Sequence, residues 1–220
     1  MAQEQTLPVL PALEPVLPGG SLQRGYSLVV EGSSGASSLA LALTAGPSKA
    51  GSWIAAIGVP ALGMASASEL GVVLEHLVLI SPPAPKLWPT VAAALIDAFD
   101  LVLVGWPDVP RSMARRLGHR VRDRRAVLIS VVAGTSHAWN EAADLSLRVT
   151  AARWQGIGWG DGRLQARHVV VETGGRRSAM PRKTALWLPD LGGGVAASDI
   201  QPAEHPVPQP FLSAGAGSAG

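Results

Sequence analysis

The sequence predicts an α/β protein: a mainly parallel sheet with helices on both faces, then an antiparallel hairpin and a disordered C-terminal tail. Three observations predict it. Short runs of Val, Ile and Leu alternate with stretches of helical spacing as far as residue 132, the pattern of strands buried on both faces. Ala, Gly, Leu and Val supply most of a 47% apolar fraction that includes only two Phe and one Tyr, which suits close packing of helices on a sheet. Beyond Trp139, residues 145–149 and part of 164–171 alternate apolar with polar, as a half-exposed hairpin does, with a glycine-rich stretch between them.

Residues 1–20, ending Pro18-Gly19-Gly20, read as an irregular lead-in because prolines interrupt every short apolar run. A strand is expected over 26–31, a Gly/Ser turn over 32–35 and a helix over about 36–45. A second strand over 53–57 follows. A short helix over 65–70 ends at Gly71, the residue type favoured just beyond a helix C-terminus. Residues 77–80 form a third strand, closed by prolines at 82, 83 and 85. Helical spacing resumes over 88–99, then come a strand over 101–104, an amphipathic helix over 113–122 and a strand over 126–132. A last strand is expected over 184–188. The core then spans 21–132, the hairpin extension 140–190, and one domain covers 1–191. From Gly192 the chain is mostly Gly, Ala, Ser and Pro and is expected to be disordered.

Composition excludes several functions. With no cysteine there are no disulfides and no thiolate metal sites. The first residues lack the cationic and apolar regions of a secretion signal, and no apolar run approaches the ~20 residues a membrane helix needs. A cytoplasmic protein with no membrane partner is expected. The five histidines share no metal-ligand spacing, so no metal is assigned.

The turn after the first strand is where an open α/β sheet binds phosphate. A working phosphate loop needs a first glycine, a second glycine five residues on, then Lys and Ser/Thr. Gly32, Ser33, Ser34, Gly35, Ser37 and Ser38 retain its character, but Ala36 stands at the lysine position and Val30 at the first glycine. Weak anion binding and a plain helix start with no ligand both remain open.

These residues carry a family resemblance. From about residue 17 to 130 the chain resembles the ATPase core of bacterial RecA. Ser33-Ser34-Gly35-Ala36-Ser37-Ser38-Leu39 is similar to its phosphate loop without the lysine, and Ala67-Ser68-Glu69-Leu70-Gly71-Val72 to its turn before the third strand. Phe99-Asp100-Leu101-Val102-Leu103-Val104-Gly105 resembles its Walker B strand. The resemblance places the catalytic glutamate at Pro60 and the magnesium-side aspartate at Gly105. It therefore implies a RecA-like fold with no catalytic residues, no cofactor and no ATPase activity. Asp100 precedes its strand and cannot substitute.

Among RecA relatives, residues 10–20 and 55–71 and Ala185-Leu186-Trp187-Leu188-Pro189-Asp190 resemble the ImuA-type (ImuA′) mutasome proteins of actinobacteria. That resemblance implies a role in translesion synthesis and the SOS response to DNA damage. The implied partners are a catalytically dead, ImuB-type Y-family polymerase relative and, through it, an error-prone C-family polymerase. The alternative is a RecA-related regulator acting on the recombinase itself or on cell division. An ATPase with an unorthodox site is the third reading.

Net charge is only +2, but fifteen of the eighteen bases are arginine, and seven of those fall between Arg111 and Arg125 with Asp123 as the only acid. Met113, Leu117 and Val121 would face the sheet, leaving Arg115, Arg116, Arg120, Arg122, Arg124 and Arg125 outside. Nucleic-acid phosphate, an acidic partner surface, or acids from elsewhere in the fold could offset them. Arg163 and Arg167, with Arg148 and Arg153, give the hairpin a similar character. The seven tryptophans could stack on bases or anchor the core. Phe211-Leu212 reads as a short docking motif or as chance.

Overall fold

The computed structural model describes residues 5–59, 62–105, 109–157, 162–178 and 180–199, apart from the side chains of His137 and Ile157. The expected positions Pro60, Trp106 and Trp159 and the tail beyond Asp199, including Phe211-Leu212, lie outside the described residues.

In chain order the strands are β1 (Thr6–Leu7), β2 (Leu22–Gln23), β3 (Ser27–Glu31), β4 (Ile54–Ile57), β5 (Leu77–Ile80), β6 (Leu101–Val104), β7 (Val127–Val132), β8 (Leu145–Ile157), β9 (Gly162–Gly174), β10 (Arg182–Trp187) and β11 (Ala196–Ala197). The α-helices are α1 (Ala36–Lys49), α2 (Met64–Glu69), α3 (Trp88–Ala98), α4 (Arg111–Arg124) and α5 (His137–Ala142). Nine strands form one sheet in the order β11-β10-β9-β8-β3-β7-β6-β4-β5, and β1 pairs with β2 separately. From β8 to β5 the neighbours run parallel except for the hairpin partner β9, and β9, β10 and β11 extend the sheet antiparallel.

Period-two strands buried on both faces divide their side chains between two cores. Leu28 and Val30 of β3, with Ile54, Leu101, Leu103 and Ile129, pack under α1 on one face. Val29, Ala55, Ile57, Val102, Val104 and Leu128 meet α3, α4 and α5 on the other. Among the described residues no helix is long and apolar enough to cross a membrane.

The lead-in is not loose. Residues Pro11–Val16 form a 3-10 helix, and Leu7, Val9, Leu13, Val16 and Leu17 are buried in the α1-side core. Prolines do prevent an α-helix here, but they do not prevent packing. Gly46 of α1 allows the close approach: a Cβ there would lie 2.7 Å from the Val9 Cα. Helix α1 also runs past the expected residue 45 to Lys49, since Pro47 falls in its last turn and Ser48 Oγ donates to the Ala45 carbonyl. Helix α4 exceeds its expected span by two residues at each end. The hairpin strands are thirteen residues each, well beyond the alternating segments that predicted them. The described chain does not lose structure at Gly192: the Asp190 carboxylate accepts from the Gly192 and Gly194 N–H groups, and β11 then pairs with β10.

Candidate functional site

Strand β3 carries the chain into the expected phosphate-binding turn, and its length decides what that turn can do. Val30 is fully buried and paired with Val131 on one side and Leu147 on the other, so the strand continues through the position of a first loop glycine. Only Gly32, Ser33, Ser34 and Gly35 remain to connect β3 to α1. Both glycines have positive φ, +150° and +92°, and the hairpin crowds them: a Cβ at Gly32 would meet the Val149 Cβ at 3.0 Å. Ser33 and Ser34 are exposed, and Ala36 is buried, its methyl directed into the core beneath α1. A side chain at 36 therefore points away from any phosphate held outside the turn.

The Walker-B-like position is also closed. A Cβ on Gly105 would fall inside van der Waals contact of the Gly58 carbonyl oxygen and 2.5 Å from the Val59 Cα. Backbone from the end of β4 thus occupies the space a carboxylate would need. Asp100 lies at the opposite, N-terminal end of β6, where it accepts from Arg24 at 2.9 Å and from the Trp53 N–H at 3.1 Å. Among the described residues no group of three His, Asp or Glu side chains could hold a metal ion.

Two charged side chains beside the turn, Glu31 and Arg167, are buried, which the sequence pattern does not foretell. Glu31, the last residue of β3, is fully buried. Its carboxylate accepts from the Ser136 N–H at 2.9 Å, from Asn140 Nδ2, and from Arg148 Nη2 at 3.2 Å. It ties the end of β3 to the start of α5 and to β8, so Arg148 is an internal partner as well as a half-exposed cation. The partners lie more than a hundred residues away, and no local pattern announces them.

Arg167, expected from the sequence to bind nucleic acid or a partner, is only 6% exposed. Nε donates to the Leu188 carbonyl at 2.7 Å, Nη2 donates to Ser38 Oγ at 2.7 Å, and the guanidinium lies 4.9 Å from the Trp154 ring centre. Burial holds its pKa below the usual arginine range, because the charged form loses water. A groove of about 680 Å³ opens beside it, lined by Ser38, Glu69, Trp154, Arg163, Leu164 and Leu191 among others. Arg163 is exposed at its rim.

On α4, Leu117 and Val121 face the core as expected and Met113 is half-buried. Arg120 and Arg124 both pair with Asp97 of α3, and Arg122 meets the His119 ring. Arg125, at the helix end, is exposed in the left-handed conformation. Arg111 pairs with Glu141 of α5. The arginine run is thus partly offset by acids from neighbouring elements. Arg115 and Arg116 are exposed and have no ion-pair or hydrogen-bond partner among the described residues. Arg153 is exposed near the hairpin tip, while Arg176 donates to the Ala142 carbonyl and pairs with Asp144.

The tryptophans divide by position. Trp88 and Trp139 are buried and meet edge to face, 6.5 Å between ring centres, so neither is available for stacking on a base. Trp53 is half-exposed, Trp154 is about one-third exposed, and Trp187 packs edge-on against His168. His168, held below its ordinary pKa by burial, also meets Ser198 Oγ, and His76 Nδ1 contacts the Ser48 carbonyl oxygen.

Comparison with known proteins places these features in a family. A curated relative, the uncharacterized protein Rv3395c of Mycobacterium tuberculosis, is 39% identical over 99 residues, covering 44% of this chain and 48% of that protein. The match thus spans about half the length of the curated relative. The family model described as the MT3502 N-terminal domain matches residues 15–141, from the buried lead-in through β7 to α5. The match covers more than half of the chain, which therefore belongs to the MT3502 N-terminal domain family.

Proposed function

We propose that this protein is a non-catalytic, RecA-like accessory protein of the ImuA type. On this reading it serves the translesion-synthesis mutasome by binding an ImuB-type, inactive Y-family polymerase relative and, through its arginine surface, DNA. The observation that carries the reading is the closed phosphate turn. Phosphoryl transfer depends on positioned cations and carboxylates, each worth orders of magnitude in rate. Here the turn is short, position 36 points into the core, and Gly105 has backbone where a carboxylate would sit. Recognition is then the remaining task, and Arg115 and Arg116 are the described residues of α4 best placed for it.

The test has two arms. The protein should release no phosphate from ATP above a buffer blank, with or without DNA. Tagged protein recovered from cells treated with a DNA-damaging agent should bring down the Y-family relative; recovery of RecA or a division protein without it would favour the regulator reading instead. For DNA, affinity measured across a salt series should fall less steeply for Arg115→Ala/Arg116→Ala/Arg120→Ala, by up to about 2 in log–log slope if Arg115 and Arg116 each neutralise one phosphate while Arg120 stays with Asp97. An unchanged slope removes α4 from the interface.

A further inference from the structure

Arg167 is a buried cation with no acid beside it. Among the described residues it makes two hydrogen bonds, to a carbonyl and a hydroxyl, and one ring contact; no carboxylate lies within ion-pair distance. Buried arginine is rare unless a charge answers it. Its surroundings add to the imbalance. Ser38 lies in the first turn of α1, a helix of fourteen residues whose N-cap, Gly35, offers no side-chain acceptor, so the positive end of the helix dipole points toward the same place. Nη1 has no acceptor among the described residues, and the side chain lines the groove that Arg163 borders.

The groove also sets the kind of anion. Two arginines face one acid, Glu69, which matches a single phosphate better than a chain of them. A triphosphate would need a metal carboxylate, and Gly105 leaves no room for one. A guanidinium and a hydroxyl together offer the several donors a phosphate accepts. The remaining walls are mixed: Ser66 and Gln165 are polar, while Leu164, half-exposed, and Trp154, one-third exposed, supply apolar surface, and about 680 Å³ is within the usual range for a small-molecule site, roughly 300–1,000 Å³.

We propose that this groove binds a phosphate monoester, with the phosphate accepting from Arg167 Nη1 and from the Ser38 hydroxyl, which already accepts from Arg167 Nη2, and with an apolar or planar body along Trp154 and Leu164. The monoester could be a free nucleotide or sugar phosphate, or the 5′-phosphate of a nucleic-acid strand. The inference stands apart from the mutasome reading, since it uses none of the α4 arginines.

Calorimetry or phosphorus NMR at constant ionic strength tests it, with inorganic phosphate, a nucleoside monophosphate, and short oligothymidylates with and without a 5′-phosphate. Saturable binding of phosphate, tighter for the monophosphate, is expected. Arg167→Gln should weaken it at least tenfold, and Ser38→Ala and Arg163→Ala severalfold each. If Arg167→Gln does not fold, the latter two variants decide the outcome, because neither side chain is fully buried. Arg115→Ala/Arg116→Ala should leave it unchanged, which separates this site from DNA binding by α4. A 5′-phosphorylated strand bound tenfold more tightly than both its 5′-hydroxyl form and the monophosphate identifies a strand end; equal binding of the two strands identifies the small molecule. No saturable binding, indifference to Arg163→Ala and Ser38→Ala, or a magnesium triphosphate bound tenfold more tightly than the monophosphate overturns the proposal.

Discussion

Restoring lysine at position 36 is the obvious attempt to revive a phosphate loop, and the structure predicts that it damages the fold without reviving anything. Ala36 is 5% exposed and belongs to the core beneath α1. Lysine adds four heavy atoms there, and overpacking of this kind costs about 1–3 kcal/mol. It also carries an ammonium into that core with no carboxylate to answer it; a buried unpaired charge costs several kcal/mol unless it loses its proton. Partial escape of the flexible stem reduces the sum, and Ala36→Lys should cost about 3–5 kcal/mol. A domain of this size changes its Tm by roughly 2–4 °C per kcal/mol, so a fall of about 10 °C is expected. Ala36→Met separates the parts, because it carries the bulk without the charge and should lose only about 1–3 kcal/mol. The sign with pH is fixed. A buried lysine has a lower pKa folded than unfolded, so the unfolded chain binds the extra proton, and the gap between the two variants should narrow as pH rises toward 10. Thermal denaturation of both variants at pH 7 and 9.5, with a phosphate-release assay alongside, measures all of this. A lysine variant within about 1 kcal/mol of wild type, or one that hydrolyses ATP, refutes the inward placement of position 36.

Two other outcomes follow from packing and charge. The hydrogen bond from Arg120, then the guanidinium charges of Arg120 and Arg124, hold the Asp97 carboxyl below the usual aspartate range. Its contribution is therefore present above the unfolded pKa, near 4, and lost as pH falls through the lower folded value. Asp97→Asn should cost under ~1 kcal/mol, as exposed pairs do, yet steepen the salt dependence of DNA binding by up to about 2 by releasing both arginines; fluorescence anisotropy with a labelled oligonucleotide checks this, and an unchanged slope means the pair does not limit DNA contact. Gly46→Ala should destabilise by about 1–3 kcal/mol, although alanine is normally the better helix former by about 1 kcal/mol, because the new Cβ meets the backbone of Pro8 and Val9. Earlier proteolytic cleavage within the first twenty residues should accompany the loss, and a stabilised variant would show that the lead-in yields easily.

The parallel core is legible because its signals are local. Leu101–Val104 reads as a strand from its composition and Gly71 as a helix stop from its type, and each holds whatever surrounds it. The lead-in is not legible, for an equally physical reason. Proline reports on backbone hydrogen bonding, so Pro8, Pro11 and Pro15 exclude a long helix correctly but carry no information about burial of Leu13 and Val16, which depends on distant partners such as β9, where Thr173 Oγ1 donates to the Val16 carbonyl. The arginine run over 111–125 is visible as a cluster, but its electrostatic worth is not. Asp97, which answers Arg120 and Arg124, belongs to the preceding helix and meets them only once α3 and α4 pack on the same face of the sheet.

The turn after β3 shows why loss of residues and loss of geometry differ in kind. Read as a string, Ala36 and Gly105 are vacancies where lysine and aspartate could be written back. In the folded chain neither is a vacancy: the Ala36 methyl fills core, and the Gly105 α-carbon faces the Gly58–Val59 backbone. Val30 is committed to two neighbouring strands, so the turn cannot lengthen without breaking ladder bonds on both sides. A cation does reach the edge of this turn, but it comes from β9, 131 positions beyond Ala36, and its orientation is set by the Leu188 carbonyl and Ser38. Any anion recognised here must therefore be met by the hairpin and α1 together, which makes the site sensitive to how β9 packs on the core and insensitive to the motif that drew attention to it.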